Sequence, residues 1–148
     1  MSPQRSILIA VVLAVALAAT ACSGRVQATL EPDGAPLDMA AVEQLARTTD
    51  ISSVSSIEVA DAPKIRDEVL RDLRTRGAVG DRAATLLTQG FPTRTEAVPV
   101  LVRASLVDGS EALIVVEASG GATGRLIYRR LWVFDLSSGA VLRASSFR

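Results

Sequence analysis

The chain has no histidine and only one cysteine among its 148 residues. Without imidazole there is no general base to serve a serine or cysteine nucleophile, and no histidine metal ligand. A lone cysteine, Cys22, leaves no internal disulfide, no thiolate zinc site and no redox pair. Aromatics are scarce too, with one Trp, one Tyr and three Phe. Nor is there an excess of charge of either sign: Lys and Arg number 16, Asp and Glu 16. That balance argues against nucleic acid or an anionic membrane surface as the main partner. Any enzyme built from this chain works with carboxylates, hydroxyls, Arg and Tyr alone. No cofactor and no metal are expected.

What is present begins with the longest apolar run. Arg5 is followed by an apolar stretch from Ile7 to Leu17, then by Ala18, Ala19, Thr20, Ala21 and Cys22. Charge, apolar run and small residues in that order make a secretory signal peptide, removed from the mature protein. Ile7 to Ala21 is fifteen residues, short of the about 20 that span hydrocarbon as a helix. Cys22 directly after Ala19-Thr20-Ala21 makes the segment similar to the signal peptide of bacterial lipoproteins. The resemblance covers residues 1–22 and nothing beyond them. It implies a diacylglyceryl thioether on Cys22, loss of residues 1–21, and export to the outer face of the cytoplasmic membrane, or to the outer membrane of a diderm host. It also gives the single thiol a use, since an exported free cysteine is otherwise a liability. Two or more acyl chains hold a protein on a membrane essentially permanently.

Residues 22–36 are expected to be the lipidated N-terminus and a flexible tether: SGRVQATLEPDGAP mixes Gly, Pro and polar residues without an apolar period. Residues 37–148 are read as a single domain. A short helix follows, N-capped by Asp38, with Leu37 and Val42 at the two positions of a hydrophobic staple. Ile57 and Val59 flank Glu58 and suggest a short edge strand. The strongest helix signal is Pro63–Arg76, where Ile65, Val69 and Leu73 recur every four residues, Leu70 widens the stripe, and Gly77 stops it. A further helix is expected from an Asp81 N-cap to about Gln89, ended by Gly90-Phe91-Pro92.

From Glu96 the pattern turns to strands: Ala97–Val107, Ala112–Ser119, Arg125–Leu136 and Ala140–Phe147. Asp108-Gly109 is a two-residue hairpin turn, and Ser137-Ser138-Gly139 turns the last pair. Gly120–Gly124 has no helix after it, so it reads as a loose connection rather than a phosphate cradle. Leu131 to Leu142 is similar to the outer hairpin of a β-propeller blade but occurs once, which excludes the propeller. Counting register through the turns puts Leu101, Arg103, Ala112, Ile114, Val116, Ile127, Arg129, Leu131, Val133, Leu142 and Ala144 on one face. Val98, Val100, Val102, Leu106, Leu113, Val115, Glu117, Leu126, Tyr128, Arg130, Trp132, Phe134, Val141, Arg143 and Phe147 fall on the other. Both faces are largely apolar, so each must be covered.

The expected fold is α+β: short helices followed by a four-stranded antiparallel meander with helix packed on one face. That order is similar to cystatin-like and NTF2-like rolls, an analogy that carries no function. The constellation with chemical content is Tyr128, Trp132 and Phe134 with Glu117, Arg130 and Arg143. It reads either as a groove for an apolar ligand or partner segment, with an Arg meeting an acidic group, or as sheet core with charges at its rim. The core reading is favoured. No residue is assigned a catalytic role. The leading function is a non-catalytic, membrane-anchored envelope lipoprotein that binds a partner protein or an apolar ligand. The alternatives are a small carboxylate-dependent envelope hydrolase, which needs two facing carboxylates in one cavity, and an assembly or inhibitory accessory to a neighbouring envelope enzyme.

Overall fold

In the computed structural model, residues 24–92 and 94–148 are described; the segment expected to be a signal peptide, residues 1–21, and Cys22 lie outside them. The elements in chain order are β1 (Thr29–Glu31), α1 (Met39–Thr48), a 3-10 turn (Val59–Asp61), α2 (Ala62–Arg74), α3 (Gly77–Gln89), β2 (Ala97–Val107), β3 (Ser110–Gly120), β4 (Leu126–Asp135) and β5 (Val141–Phe147). The fold is α+β, with one mixed sheet of strand order β1-β2-β3-β4-β5.

Local chemistry accounts for most of the boundaries. The Asp38 carboxylate accepts from the Ala41 N–H at 2.7 Å, which satisfies one of the free donors at the start of α1. At the other end the Thr49 hydroxyl donates to the Leu45 carbonyl at 2.7 Å. Pro63 stands in the first turn of α2, where its missing N–H costs nothing. The third helix starts at Gly77 rather than at the expected Asp81. Gly77, at φ +88°, bends the chain sharply enough for α3 to begin a turn early. Gly80 then lies so close to the Leu73 carbonyl oxygen that no side chain fits between the two helices.

The meander is as expected in outline. Asp108 and Gly109 both have positive φ, 48° and 83°, the two-residue turn that matches strand twist, and Val107 pairs with Ser110. Three corrections apply. First, the segment expected to be a loose tether supplies a fifth strand: β1 pairs parallel to β2, Thr29 with Leu101 and Glu31 with Arg103. The chain stays on β2 as far as Leu37, which pairs with Val107. Pairing satisfies the backbone of β2's outer edge, a gain that side-chain periodicity over three residues does not reveal. Second, Ile57–Val59 is not a strand. Glu58 makes one bridge to Arg125, and the chain then coils into the 3-10 turn.

Third, bulges reset the faces: besides a shift between Ser119 and Gly120 that pairs Leu126 with Gly120 and takes it off the Tyr128 face, two more do so. One lies between Pro99 and Leu101 and moves Val98 to the side of Ala118. The other lies in the β4–β5 pair, where Val133 pairs with Arg143 but Phe134 with Val141, so that Leu142 of β5 is the extra residue. It places Arg143, Ser145 and Phe147 with Val133, Leu131 and Arg129, opposite to the side counted from the sequence. An extra residue in one strand inverts every side chain beyond it.

Helices cover both faces, where one-sided packing was expected. Arg66 of α2 reaches Glu117 of β3, so α2 and α3 lie on the face carrying Val102, Leu113, Val115, Glu117 and Trp132. On the opposite face α1 meets β4 and β5: Glu43 accepts from Arg143, the Arg47 guanidinium sits 4.2 Å from the Phe147 ring centre, and Arg129 donates to the Thr49 carbonyl at 2.8 Å. The chain passes between faces at the end of the β3–β4 hairpin, where Val59 donates to the Gly124 carbonyl at 2.8 Å. Val42, Val54, Ile114, Leu131 and Val133 are fully buried on one side and Val69, Leu73, Val102, Leu113 and Val115 on the other. Each is worth roughly 1.5–3 kcal/mol on leaving water.

Candidate functional site

Strand alternation on β4 puts Arg130, Trp132 and Phe134 side by side on the face that receives α2 and α3. Trp132 is half-buried and Phe134 buried. Phe91, in the turn after α3, meets the Trp132 ring edge-on at 4.9 Å between centroids. Phe134 stacks on the other side at 6.4 Å and 22°. Edge-on and offset contacts of this kind add about 0.5–1.5 kcal/mol to plain burial.

Beneath the aromatics lies a buried ion pair. Glu117 is fully buried and Arg66 is 3% exposed. Glu117 Oε1 accepts from Arg66 Nη1, and Glu117 Oε2 accepts from the indole N–H of Trp132 at 2.9 Å. The guanidinium also donates to the Ala97 carbonyl at 2.9 Å and to the Leu87 carbonyl at 3.2 Å, and its Cζ is 5.3 Å from the Phe91 ring centre. Every polar atom engaged here has a partner, which a buried ion pair needs in order to be tolerated. The pair sets the tilt of Trp132 and so shapes the surface above it.

That surface is open. Three shallow depressions meet at Trp132. One, of about 440 Å³, lies between Phe91, Arg94, Glu96 and Arg130. A second, of about 310 Å³, lies between Leu86, Phe91, Phe134 and Val141. The third, of about 330 Å³, runs along Arg130, Ala144, Ser145 and Ser146. Beyond them β5 pairs only with β4 among the described residues, so its outer backbone groups face solvent. Val141 and Leu142 stand there 54% and 49% exposed.

Of the six residues singled out from sequence, four come together: Glu117, Arg130, Trp132 and Phe134. Tyr128 pairs with Ser119 at the far end of the same strand, where the Arg148 guanidinium lies 5.9 Å from its ring centre. Arg143 does not join them. The β4–β5 bulge turns it to the opposite face, onto Glu43 of α1. Two participants were not singled out, Arg66 and Phe91. Arg66 stands four residues before Leu70 and seven before Leu73, so the helical period does place it on the buried stripe. Its partner on β3 cannot be found from spacing.

Another depression, of about 300 Å³, is lined by Asp33 and Glu111 among apolar neighbours. Both carboxylates are exposed, without the enclosure that keeps a general acid protonated in a glycosidase. Asp135, beside the β4–β5 turn, is held below the usual carboxylate range, at about 2, by the Ser138 N–H first and then by the Ser137 and Ser138 hydroxyls. Asp50 is lowered by the Ser52 N–H and hydroxyl. Both carboxylates fasten turns. Among the described residues no three His, Cys, Asp or Glu gather to hold a metal ion, and no helix is long and apolar enough to cross a membrane. No protein-family model, no curated protein and no solved structure matches the chain.

Proposed function

We propose that this chain is an exported lipoprotein, held on the membrane by acyl chains on Cys22, whose domain is a non-catalytic binding module for an envelope protein partner. The observation that carries the binding reading is the open β5 edge running beside Trp132. An extended segment of a partner can pair with the free N–H and C=O groups of β5 and seat alternate side chains in the depressions at Trp132 and Ala144. Arg130 is half-buried at that seam, and among the described residues no carboxylate pairs with it, so an acidic side chain in the partner segment complements it. A protein partner fits these open depressions better than an apolar small molecule, which is normally enclosed over most of its surface.

The experiment joins the two halves of the reading. Protein from the native membrane, weighed intact, is expected to lack residues 1–21 and to carry acyl mass on Cys22. A photo-crosslinking residue at Ser146, which pairs with Arg130 on the Trp132 face, is expected to give one discrete adduct in those membranes, lost when Arg130→Glu is added, while the same residue at Gln44 gives none. A free Cys22 thiol refutes the anchor. Equal labelling from Ser146 and Gln44 refutes the binding edge.

A further inference from the structure

The domain's first fixed point lies very near the anchor. Val26 packs against the core. Ala28 is 2% exposed, and its carbonyl accepts from Arg76 Nη1 at 2.7 Å. From Thr29 the chain is paired to β2. Only Ser23, Gly24 and Arg25 therefore separate Cys22 from residues packed on the domain. Four peptide steps reach about 14 Å at full extension, against about 50 Å had the chain been free as far as Leu37.

The packed segment also has a fixed place in the fold. It runs along the β1 edge and against the turn between α2 and α3, where Arg76, Gly77 and Ala78 are exposed. Arg25 and Arg74 are exposed on the neighbouring stretches, and guanidinium groups suit phosphate. Asp72 balances part of this charge by pairing with Arg76 at 3.4 Å. The short reach, rather than net charge, is what sets the geometry. The β5 edge lies four strand spacings away, about 19 Å, and Trp132 on β4 about 14 Å.

We infer that the anchor holds the domain directly on the phospholipid headgroups, with the β1 edge and the α2–α3 turn toward the bilayer and the β5 edge turned away from it. This rests on the lipoprotein reading above. The binding edge then faces the next layer of the envelope, and its partner is one that approaches from outside the anchoring leaflet.

Trp132, the only tryptophan, is the native reporter. Acylated protein from native membranes is reconstituted into phosphatidylcholine vesicles containing headgroup-spin-labelled lipid, and its fluorescence quenching is measured. The comparisons are Trp132→Phe/Ala78→Trp and Trp132→Phe/Gln27→Trp, each checked by circular dichroism, so that one misfolded reporter leaves the other. Both near-edge reporters are expected to be quenched several-fold more than Trp132. A Gly-Ser insertion between Ser23 and Gly24 that doubles the free tether is expected to erase the difference. Acylated protein in which all three reporters are quenched alike, or none is, overturns the orientation and leaves the anchor standing. Protein without acyl mass that fails to float with vesicles overturns the lipoprotein reading itself.

Discussion

Removing Arg66 alone from the Arg66–Glu117 pair is expected to cost more than removing both side chains. Arg66→Met leaves the Glu117 carboxyl group fully buried without its cation and served by the Trp132 N–H alone at 2.9 Å. It also takes a donor from the Ala97 and Leu87 carbonyls. Breaking a buried pair this way costs about 3–5 kcal/mol, and these lost bonds place Arg66→Met at the upper end. Glu117→Leu is expected near the lower end, because Arg66 keeps both carbonyls and the Phe91 ring. In the double variant no charge remains buried. Its losses are the donors to the Ala97 and Leu87 carbonyls and the acceptor for Trp132, about 1–3 kcal/mol for a buried group left unpaired and less for the half-buried indole, which can reach water. The double variant is therefore expected to be more stable than Arg66→Met alone, with a coupling of several kcal/mol. Urea unfolding of the mature chain, with slopes compared to confirm an unchanged unfolding surface, measures all four corners of the cycle. Against a total stability of about 5–15 kcal/mol the single losses are large. Additive effects across the cycle would show that the two side chains do not act as a pair.

Trp132→Ala is expected to lose about 3–5 kcal/mol, because it empties the space between Phe91 and Phe134; Trp132→Phe is expected to lose about 1–3 kcal/mol through the missing N–H. An unchanged melting temperature for Trp132→Ala, together with lost crosslinking from Ser146, would make the indole a contact residue and not a packing one. Gly80→Ala drives a methyl into the Leu73 carbonyl oxygen, which belongs to backbone, so α2 and α3 must separate at a cost of about 1–3 kcal/mol, read by thermal melting. Asp135 is held down at about 2 in the folded chain against an ordinary 3.8. A lowered carboxylate contributes stability that is present above its unfolded value and lost as pH falls through the folded one, so the acid limb between about pH 4 and pH 2 is expected to flatten in Asp135→Asn. A carboxyl carbon titration of Asp135 centred near 4 would contradict the turn geometry.

The elements legible in the sequence are those whose cause is local. The Asp38 cap, the Ile65-Val69-Leu73 stripe and the Asp108-Gly109 turn each declare themselves within a few residues, and the structure has all three. What escaped depends on distant partners. β1 is three residues long and exists because β2 offers an edge. The face of Arg143 was lost to one extra residue between Phe134 and its partners on β5, which no pattern of hydrophobicity marks. Trp132, Phe134 and Glu117 were legible as a group because hairpin register is arithmetic. Arg66 was hidden among the charges of α2, where a buried guanidinium and a solvated one look the same until the carboxylate facing it is known.

The two edges of the sheet are finished differently, and this bears on how the molecule is used. An exposed strand edge invites pairing with other chains, and proteins commonly blunt it with short strands, prolines and charge. β1 carries all three: three residues, Pro32 directly after it, and Glu31 paired with Arg103 at 3.0 Å across the last rung. β5 is seven residues long and contains neither proline nor lysine. Its bulge lies at the first residues, leaving Arg143 to Phe147 in regular register. Its one charge, Arg143, is drawn onto Glu43 of α1 and away from the Trp132 face. The sheet is thus closed at the margin beside the N-terminal segment and open at the opposite one. On the proposed anchor at Cys22, a few residues from β1, the chain presents the margin that can accept another strand and keeps the one that cannot against the membrane.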